Sequence, residues 1–121
     1  MSERLIGRIE DRSARVVVVG QGYVGLPVAM RASEVGFGVV GFELDRKRVA
    51  ALRAGTSFVE DVDDDRLRAA LDRGYTVTDD AADLVGFDAA VISVPTPLRD
   101  GSPDLSFVES ATRVLAGALA P

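Results

Sequence analysis

A glycine-rich turn placed between an apolar run and a helical pattern is the feature that most constrains this chain. Residues 16–19 are four consecutive valines, and Gly20, Gly22 and Gly25 follow them. An uninterrupted β-branched run is typical of a strand covered on both faces of a parallel sheet. In the G-x-G-x-x-G spacing, Gly20 permits a tight turn, Gly22 lets a pyrophosphate approach the backbone, and Gly25 lets the helix pack closely on the strand. The sequence therefore predicts a dinucleotide site here.

An acidic residue completes this pattern on the next predicted strand. GVVGFEL (38–44) reads as that strand, and Glu43 lies near its end, at roughly the ~20-residue spacing expected after the glycines. A carboxylate there accepts hydrogen bonds from the adenosine ribose and repels a 2′-phosphate, which favours NAD over NADP. NADP remains an alternative cofactor, because that phosphate could pair with one of three basic residues that follow, Arg46, Lys47 and Arg48.

The rest of the chain alternates short apolar runs with segments of helical periodicity, which predicts an α/β fold. We expect a Rossmann-like, doubly wound parallel sheet, truncated after about four strands, in the order 3-2-1-4. Further strands are predicted at 75–80 and 87–94. The predicted helix caps are Asp45 and Asp104, and Asp63, Asp64 and Asp65 are expected at the start of another helix, where they match its dipole. In the last helix, one face is expected to carry Leu105, Val108, Thr112, Leu115 and Leu119.

Composition excludes several classes of function. The 121 residues suit one domain, with 47% hydrophobic content and a net charge of -5, which disfavours nucleic-acid binding. Cysteine and histidine are absent, so thiolate and imidazole metal sites are excluded, and no metal site or catalytic group set is predicted. The chain has no apolar run of about 18 residues and no signal peptide, so we expect a cytoplasmic protein without a membrane partner.

A proline-rich loop follows the fourth predicted strand. VPTPLRDGSPDLS (94–106) begins with Val94, Pro95 and Thr96 at the carboxyl end of a parallel strand, where open α/β sheets bind ligands. We expect a rigid loop beside the cofactor groove, with Thr96 presenting its hydroxyl and backbone. The alternative is that the prolines only route the chain into the last helix.

Taken together, GQGYVGLP, GFELDRKRV, AGTSFVEDV and VPTPLRDGSPDLSFV resemble the N-terminal NAD-binding domain of the UDP-glucose/GDP-mannose dehydrogenase family. The resemblance covers nearly all of residues 15–121. Members are nucleotide-sugar 6-dehydrogenases, which oxidise the C6 alcohol to a uronic acid with two NAD+ through a cysteine that this chain lacks. The resemblance implies that Tyr23 and Val24 contact the pyrophosphate through their backbone, that Arg48 approaches the ribose held by Glu43, and that Thr96 lies near the nicotinamide side.

Two departures from the family pattern concern the ribose site. The acid is usually Asp, so Glu43 must fit one more methylene. The basic residue is usually Lys, and Arg48 keeps its charge with a different geometry.

We therefore interpret residues 1–14 as an N-terminal extension that could be flexible, and residues 15–121 as an incomplete NAD-binding domain whose substrate and catalytic domain is absent. The expected function is the cofactor portion of a nucleotide-sugar dehydrogenase in polysaccharide biosynthesis, with a UDP-sugar favoured as the substrate. Its sugar substrate would bind through the missing domain, and the full enzyme is expected to be a homo-oligomer. Alternatives are a stand-alone NAD-binding or sensing module and a Rossmann-like methyltransferase fragment.

Overall fold

A computed structural model describes residues 3–119 and contains a four-stranded parallel sheet. The strands are β1 (Arg15–Val19), β2 (Gly38–Phe42), β3 (Thr76–Thr78) and β4 (Ala89–Ile92), and their order is β3-β2-β1-β4. This order confirms the predicted fold. Val19 pairs with Phe42 on one side and with Ile92 on the other, so the carboxyl ends of the three strands lie at one edge of the sheet.

Helices connect the parallel strands, as right-handed crossovers require. In the described residues, α2 (Gly25–Glu34) joins β1 to β2, and α3 (Arg46–Arg53) and α4 (Asp64–Asp72) lie between β2 and β3. A short 3-10 helix at Ala81–Leu84 lies between β3 and β4, while α1 (Glu3–Glu10) precedes β1 and α5 (Ser106–Ala118) follows β4. β2 and β4 are shorter than predicted, so Glu43 and Val94 lie in the loops just beyond their strands.

The core lies on both faces of the sheet because alternate side chains of a strand point to opposite faces. Val18 packs into a cluster with α2, α3 and α4, which includes Leu26, Leu52 and Leu67. Val17 and Val19 pack into a second cluster with residues of α5 such as Leu115. A strand buried on both sides explains why residues 16–19 carry no polar alternation.

Local capping explains where two of the helices begin. The Asp45 carboxylate accepts from the backbone N–H groups of Lys47 and Arg48, and the Asp63 carboxylate accepts from that of Arg66. Each satisfies N–H groups that the first helical turn leaves without a partner. The Asp45 cap confirms the prediction, and the second helix begins at the predicted run of acidic residues, with Asp63 as its N-cap.

The start and the buried face of α5 differ from the prediction. Leu105 occupies the N-cap position, although the Asp104 carboxylate still accepts from the Ser106 N–H at 2.9 Å. The buried residues are Ala111, Leu115 and Ala118, whereas Leu105 and Leu119 are exposed. Leu115 confirms part of the predicted face, but Leu105, Thr112 and Leu119 were wrong, because two small residues, Ala111 and Ala118, flank Leu115 in the buried contact.

The segment before β1 contains a helix joined to the sheet. Arg8 of α1 donates to Asp88 at 2.7 Å, and the same carboxylate accepts from the backbone N–H of Arg15. None of the described residues of α1 is buried. Residues 1, 2, 120 and 121, at the ends of the two predicted regions, lie outside the described residues, and the proposed division at residue 14 stays a prediction.

The proline-rich loop folds back on itself. β5 (Leu98–Arg99) and β6 (Ser102–Pro103) form an antiparallel hairpin, and Asp100 and Gly101 at its turn both have positive φ. Two successive positive φ angles are typical of a type I′ turn, for which Asp-Gly is a favoured sequence. This dipeptide was the signal for a hairpin that sequence analysis missed.

Candidate functional site

A groove lies where the carboxyl ends of β1, β2 and β4 meet. Its volume is about 710 Å³. Its walls are the glycine loop (residues 20–25), the segment after β2, the segment after β4, and α5. The lining residues include Gly20, Gly22, Tyr23, Val24, Glu43, Arg48, Val94, Pro95, Phe107, Ser110, Ala111 and Val114. This is the sheet edge at which open α/β folds bind ligands.

Two glycines of the loop are required by close backbone packing. Gly20 has φ +91°, and a Cβ there would lie 1.9 Å from the carbonyl oxygen of Ser93. A Cβ at Gly25 would lie 1.7 Å from the carbonyl oxygen of Gly20. Neither position has room for a side chain, so both glycines let β1, α2 and the β4 loop come into contact.

Gly22 differs from the other two because protein atoms do not crowd it. The nearest atom to a Cβ built there is Arg48 Nη1, at 3.6 Å, which is an ordinary contact distance. The protein around Gly22 would therefore tolerate a methyl group, and the space beside it opens into the groove. This fits a position kept free for a ligand that approaches the backbone.

The start of α2 supplies N–H groups to the same space. Val24 is the N-cap, and its side chain makes no capping hydrogen bond. Within residues 3–119, the N–H groups of Gly22, Tyr23 and Val24 donate to no protein acceptor. The side chains of Tyr23 and Val24 are exposed. Unpaired N–H groups at a helix N-terminus form an anion site that needs no basic side chain.

Glu43 is held across the groove by two backbone amides. Its Oε1 accepts from the N–H of Gln21 at 3.0 Å, and its Oε2 accepts from the N–H of Asp45 at 3.1 Å. The side chain is 11% exposed. Each carboxylate oxygen has a second lone pair, so the fixed carboxylate retains capacity to accept hydroxyl groups of a ligand.

Arg48 brings positive charge to this end of the groove. Its Nη1 lies 3.8 Å from Glu43 Oε1, and its guanidinium carbon lies 5.0 Å from the centre of the Phe58 ring. Lys47 and Phe58 line an adjoining hollow of about 310 Å³. The pairing with Glu43 and the contact with Phe58 both orient the guanidinium.

The loop after β4 contributes only part of what was predicted. Val94 and Pro95 line the groove together with Ser93. Thr96 is exposed and is not among the lining residues, because the chain turns away toward the hairpin after Pro95. Its role stays a prediction. The other nine predicted binding residues converge, eight of them as lining residues and Gly25 directly beneath the loop against Gly20.

Sequence analysis missed two parts of the site. One is the wall formed by α5, for which no binding role was predicted. Four residues of this helix line the groove: Phe107, Ser110, Ala111 and Val114. The other is a buried pair behind the glycine loop, in which Tyr75 donates to the side chain of Gln21. Gln21 occupies a variable position of the glycine motif, and nothing in its spacing indicates burial.

The arrangement suits an elongated anionic ligand, because unpaired N–H groups and a fixed carboxylate line the same groove. The chain has no cysteine and no histidine. In residues 3–119 no cluster of three metal-ligating side chains occurs, and none of the helices in that range has the length and apolarity to cross a membrane. The residues present fit a dinucleotide, with the diphosphate at α2 and a ribose at Glu43.

Comparison with known proteins agrees with this geometry. Residues 14–120 match the family model described as UDP-glucose/GDP-mannose dehydrogenase family, NAD binding domain. The UDP-N-acetyl-D-mannosamine dehydrogenase of Pyrococcus horikoshii is 38% identical over 104 residues, which cover 84% of this chain and 25% of that protein. The UDP-N-acetyl-D-glucosamine 6-dehydrogenase of Pseudomonas aeruginosa is 34% identical, over 89% of this chain and 25% of that protein.

A solved structure gives the same result for the fold. The UDP-D-ManNAc dehydrogenase of Pyrococcus horikoshii superposes with a TM-score of 0.82 at 37% identity, covering 86% of this chain and 25% of that one. The chain therefore spans about a quarter of the length of the relatives it matches. NAD is the cofactor that this domain type binds, which favours the dehydrogenase interpretation over the methyltransferase one.

Proposed function

We propose that this chain, which belongs to the UDP-glucose/GDP-mannose dehydrogenase family as its NAD-binding domain, supplies the cofactor site of an NAD-dependent nucleotide-sugar 6-dehydrogenase. The reaction would convert the C6 alcohol of the sugar to a carboxylate, with two NAD+ accepting two hydrides per turnover. Both the substrate and the reaction belong to the whole enzyme. The part proposed for this chain is to bind and orient NAD.

The single observation that carries the proposal is the contrast among the three glycines. At Gly20 and Gly25, backbone atoms occupy the space that a side chain would need. At Gly22 that space is free, and it lies beside unpaired N–H groups at the start of α2. A loop that served only local geometry would have no reason to keep Gly22 free. We assign the diphosphate to this space and propose that the amides of residues 22–24 hold it.

The ribose is assigned to Glu43, which lines the groove and whose carboxylate is fixed by two amides. The 2′- and 3′-hydroxyls would donate to it, and a 2′-phosphate would meet its negative charge. Arg48, at 3.8 Å, limits that repulsion, so the preference for NAD depends on the balance of the two side chains. Val94 and Pro95 would flank the nicotinamide half, and Thr96 could join only if the loop moved.

The proposed substrate is a UDP-sugar. The two relatives compared above are named for UDP-N-acetylated hexosamines, which supports a UDP-linked substrate without choosing the hexose. Assembly into a homo-oligomer and a cytoplasmic location also remain proposals for the complete protein.

Two measurements test the proposal at its two levels. Calorimetry with NAD and this chain should show binding that Gly22→Val removes while the fold is retained. The complete gene product, incubated with NAD and a panel of UDP- and GDP-sugars, should form two NADH per sugar consumed. Binding without turnover on any nucleotide sugar would support a stand-alone NAD module, and absence of NAD binding would overturn the cofactor assignment.

A further inference from the structure

A buried hydrogen-bonded pair joins three strands directly behind the glycine loop. The Tyr75 hydroxyl donates to Gln21 Oε1 at 2.5 Å, and Tyr75 and Gln21 are 2% and 0% exposed. Gln21 Nε2 donates to the carbonyl oxygens of Val18 and Gly20, each at 2.9 Å. The Gln21 side chain is thus fixed at both ends, by β1 and the loop on one side and by the residue preceding β3 on the other.

Gly41 of β2 makes room for this pair. A Cβ at Gly41 would lie 2.5 Å from Gln21 Oε1 and 2.8 Å from the Tyr75 hydroxyl. Any side chain at position 41 would displace the carboxamide, the phenol or both. The glycine, the glutamine and the tyrosine therefore form one packing unit, although they are far apart in sequence.

The same glutamine contacts the ribose site through its backbone. Its N–H donates to Glu43 Oε1 at 3.0 Å, so the side chain that fixes Gln21 also fixes one of the two amides that orient the carboxylate. A chain of contacts runs from the Tyr75 hydroxyl through Gln21 to Glu43. Burial raises the pKa of the Tyr75 phenol above its usual range, and the Glu43 charge adds to this effect, so the hydroxyl remains a donor.

We propose that Gln21 and Tyr75 are positioning residues for cofactor recognition, which hold the Gln21 amide so that the Glu43 carboxylate faces the adenosine ribose. This inference rests on the proposed function, because it assumes that Glu43 binds that ribose. Neither side chain lines the groove, so both act through Glu43 and the loop. The pair thereby contributes to the preference of the site for NAD over a cofactor whose adenosine ribose lacks or modifies the 2′-hydroxyl.

The test compares NAD with its 2′-deoxyadenosine analogue by calorimetry on the intact protein. The unaltered protein should bind NAD more tightly than the analogue. Tyr75→Phe removes one hydroxyl and leaves a buried acceptor unpaired, which we expect to weaken NAD binding by roughly threefold to tenfold. The affinity for the analogue should change less than about twofold, because part of what Glu43 recognises is already missing from it.

The outcomes separate the two levels of inference. Equal affinity of the unaltered protein for NAD and the analogue would overturn the ribose role of Glu43, and with it the positioning role. If the unaltered protein prefers NAD and Tyr75→Phe keeps the same ratio of the two dissociation constants, because both affinities are unchanged or fall equally, the positioning role alone is overturned. A purely structural defect would weaken both ligands.

Further variants guard against misfolding and indirect effects. Should Tyr75→Phe not fold, Gln21→Met provides the same test from the other side of the hydrogen bond. The variant that carries both substitutions should lose no more NAD affinity than Gln21→Met alone, because the two side chains act through one hydrogen bond. Ser13→Ala is the matched control, because it removes a hydroxyl that donates to Asp11 at 2.6 Å in an exposed turn outside the groove. It should leave both affinities unchanged.

Discussion

Gly25 and Gly20 lie in direct backbone contact: a Cβ on Gly25 would be 1.7 Å from the Gly20 carbonyl oxygen. Such a distance cannot be relieved by rotating a side chain, because both partners are main-chain atoms. The contact sets the angle at which α2 leaves the end of β1, and it places the free N–H groups of the loop at the groove.

Gly25→Ala should therefore destabilise the fold. We expect the free energy of unfolding to fall by about 3 kcal/mol or more, in the range of severe core substitutions. Thermal or urea unfolding followed by circular dichroism measures the change. Gly7→Ala is the control, since a Cβ at that position of α1 would meet no atom within 4 Å apart from its neighbours and the backbone of its own helix. A fully stable Gly25→Ala variant would mean that the helix can shift without cost.

Gly22→Ala should have the opposite profile. A Cβ at this position would meet only Arg48 Nη1, at 3.6 Å. The free energy of unfolding should therefore change by no more than about 1 kcal/mol, the range for a Gly-to-Ala substitution. The methyl group would occupy the space assigned to the diphosphate, so NAD affinity should fall by at least about tenfold. Calorimetry on the folded variant measures this, and unchanged affinity would place the diphosphate elsewhere.

Removing the carboxylate of Glu43 should narrow the preference for NAD over NADP. In Glu43→Ala the ribose hydroxyls lose their acceptor, and a 2′-phosphate would meet Arg48 without the opposing charge. We expect the ratio of the two dissociation constants to change by about tenfold or more, equivalent to roughly 1.4 kcal/mol. Glu60→Ala, an exposed carboxylate outside the groove, should leave the ratio as it is. An unaltered ratio in Glu43→Ala would assign the selectivity to other residues.

The ion pair between α2 and α4 should make stability depend on pH. Glu34 accepts from Arg66 Nε at 2.9 Å and from Nη2 at 3.0 Å, and the hydrogen bond from Arg66 lowers the pKa of the Glu34 carboxyl below its ordinary value. Because the folded-state pKa is the lower one, the stabilisation is present above the unfolded-state pKa. It is lost as the pH falls through the folded-state value.

Glu34→Gln should lower stability near neutral pH by no more than about 1 kcal/mol, since the pair is partly exposed. The difference from the unaltered protein should vanish at acidic pH, where both lack the charge. Melting curves across this pH range provide the measurement, with Glu60→Gln as a control of equal charge change. A difference that persists at acidic pH would show that packing, and not charge, is responsible.

Local sequence was sufficient for much of the architecture. A continuous valine run predicts a strand buried on both faces, and Asp45 and Asp63 predict helix starts, because these signals depend on a few neighbouring residues. The strand order followed from the doubly wound topology that the glycine motif and the alternation of strands and helices indicate. The convergence of Gly20, Gly22 and Glu43 was likewise accessible, since a known spacing links them.

Other features depended on contacts between distant segments. α5 buries Ala111 and Ala118 in preference to Leu105 and Leu119. The reason is that the position of the β5–β6 hairpin determines which face of α5 packs on the sheet. The spacing of apolar residues along the sequence does not reveal that position. Thr96 was predicted beside the groove from its sequence neighbours and from the family resemblance, whereas in the structure it is exposed and does not line the groove.

The sequence by itself determined the order of strands and helices, the helix starts at Asp45 and Asp63, and the presence of a dinucleotide loop, because each is encoded over a short stretch of chain. Tertiary structure alone decided that Gln21 is buried, that Tyr75 donates to it, and that Gly41 must stay without a side chain. Those three residues meet only after β1, β2 and β3 align, and the energy of such a contact exists only once the sheet has formed.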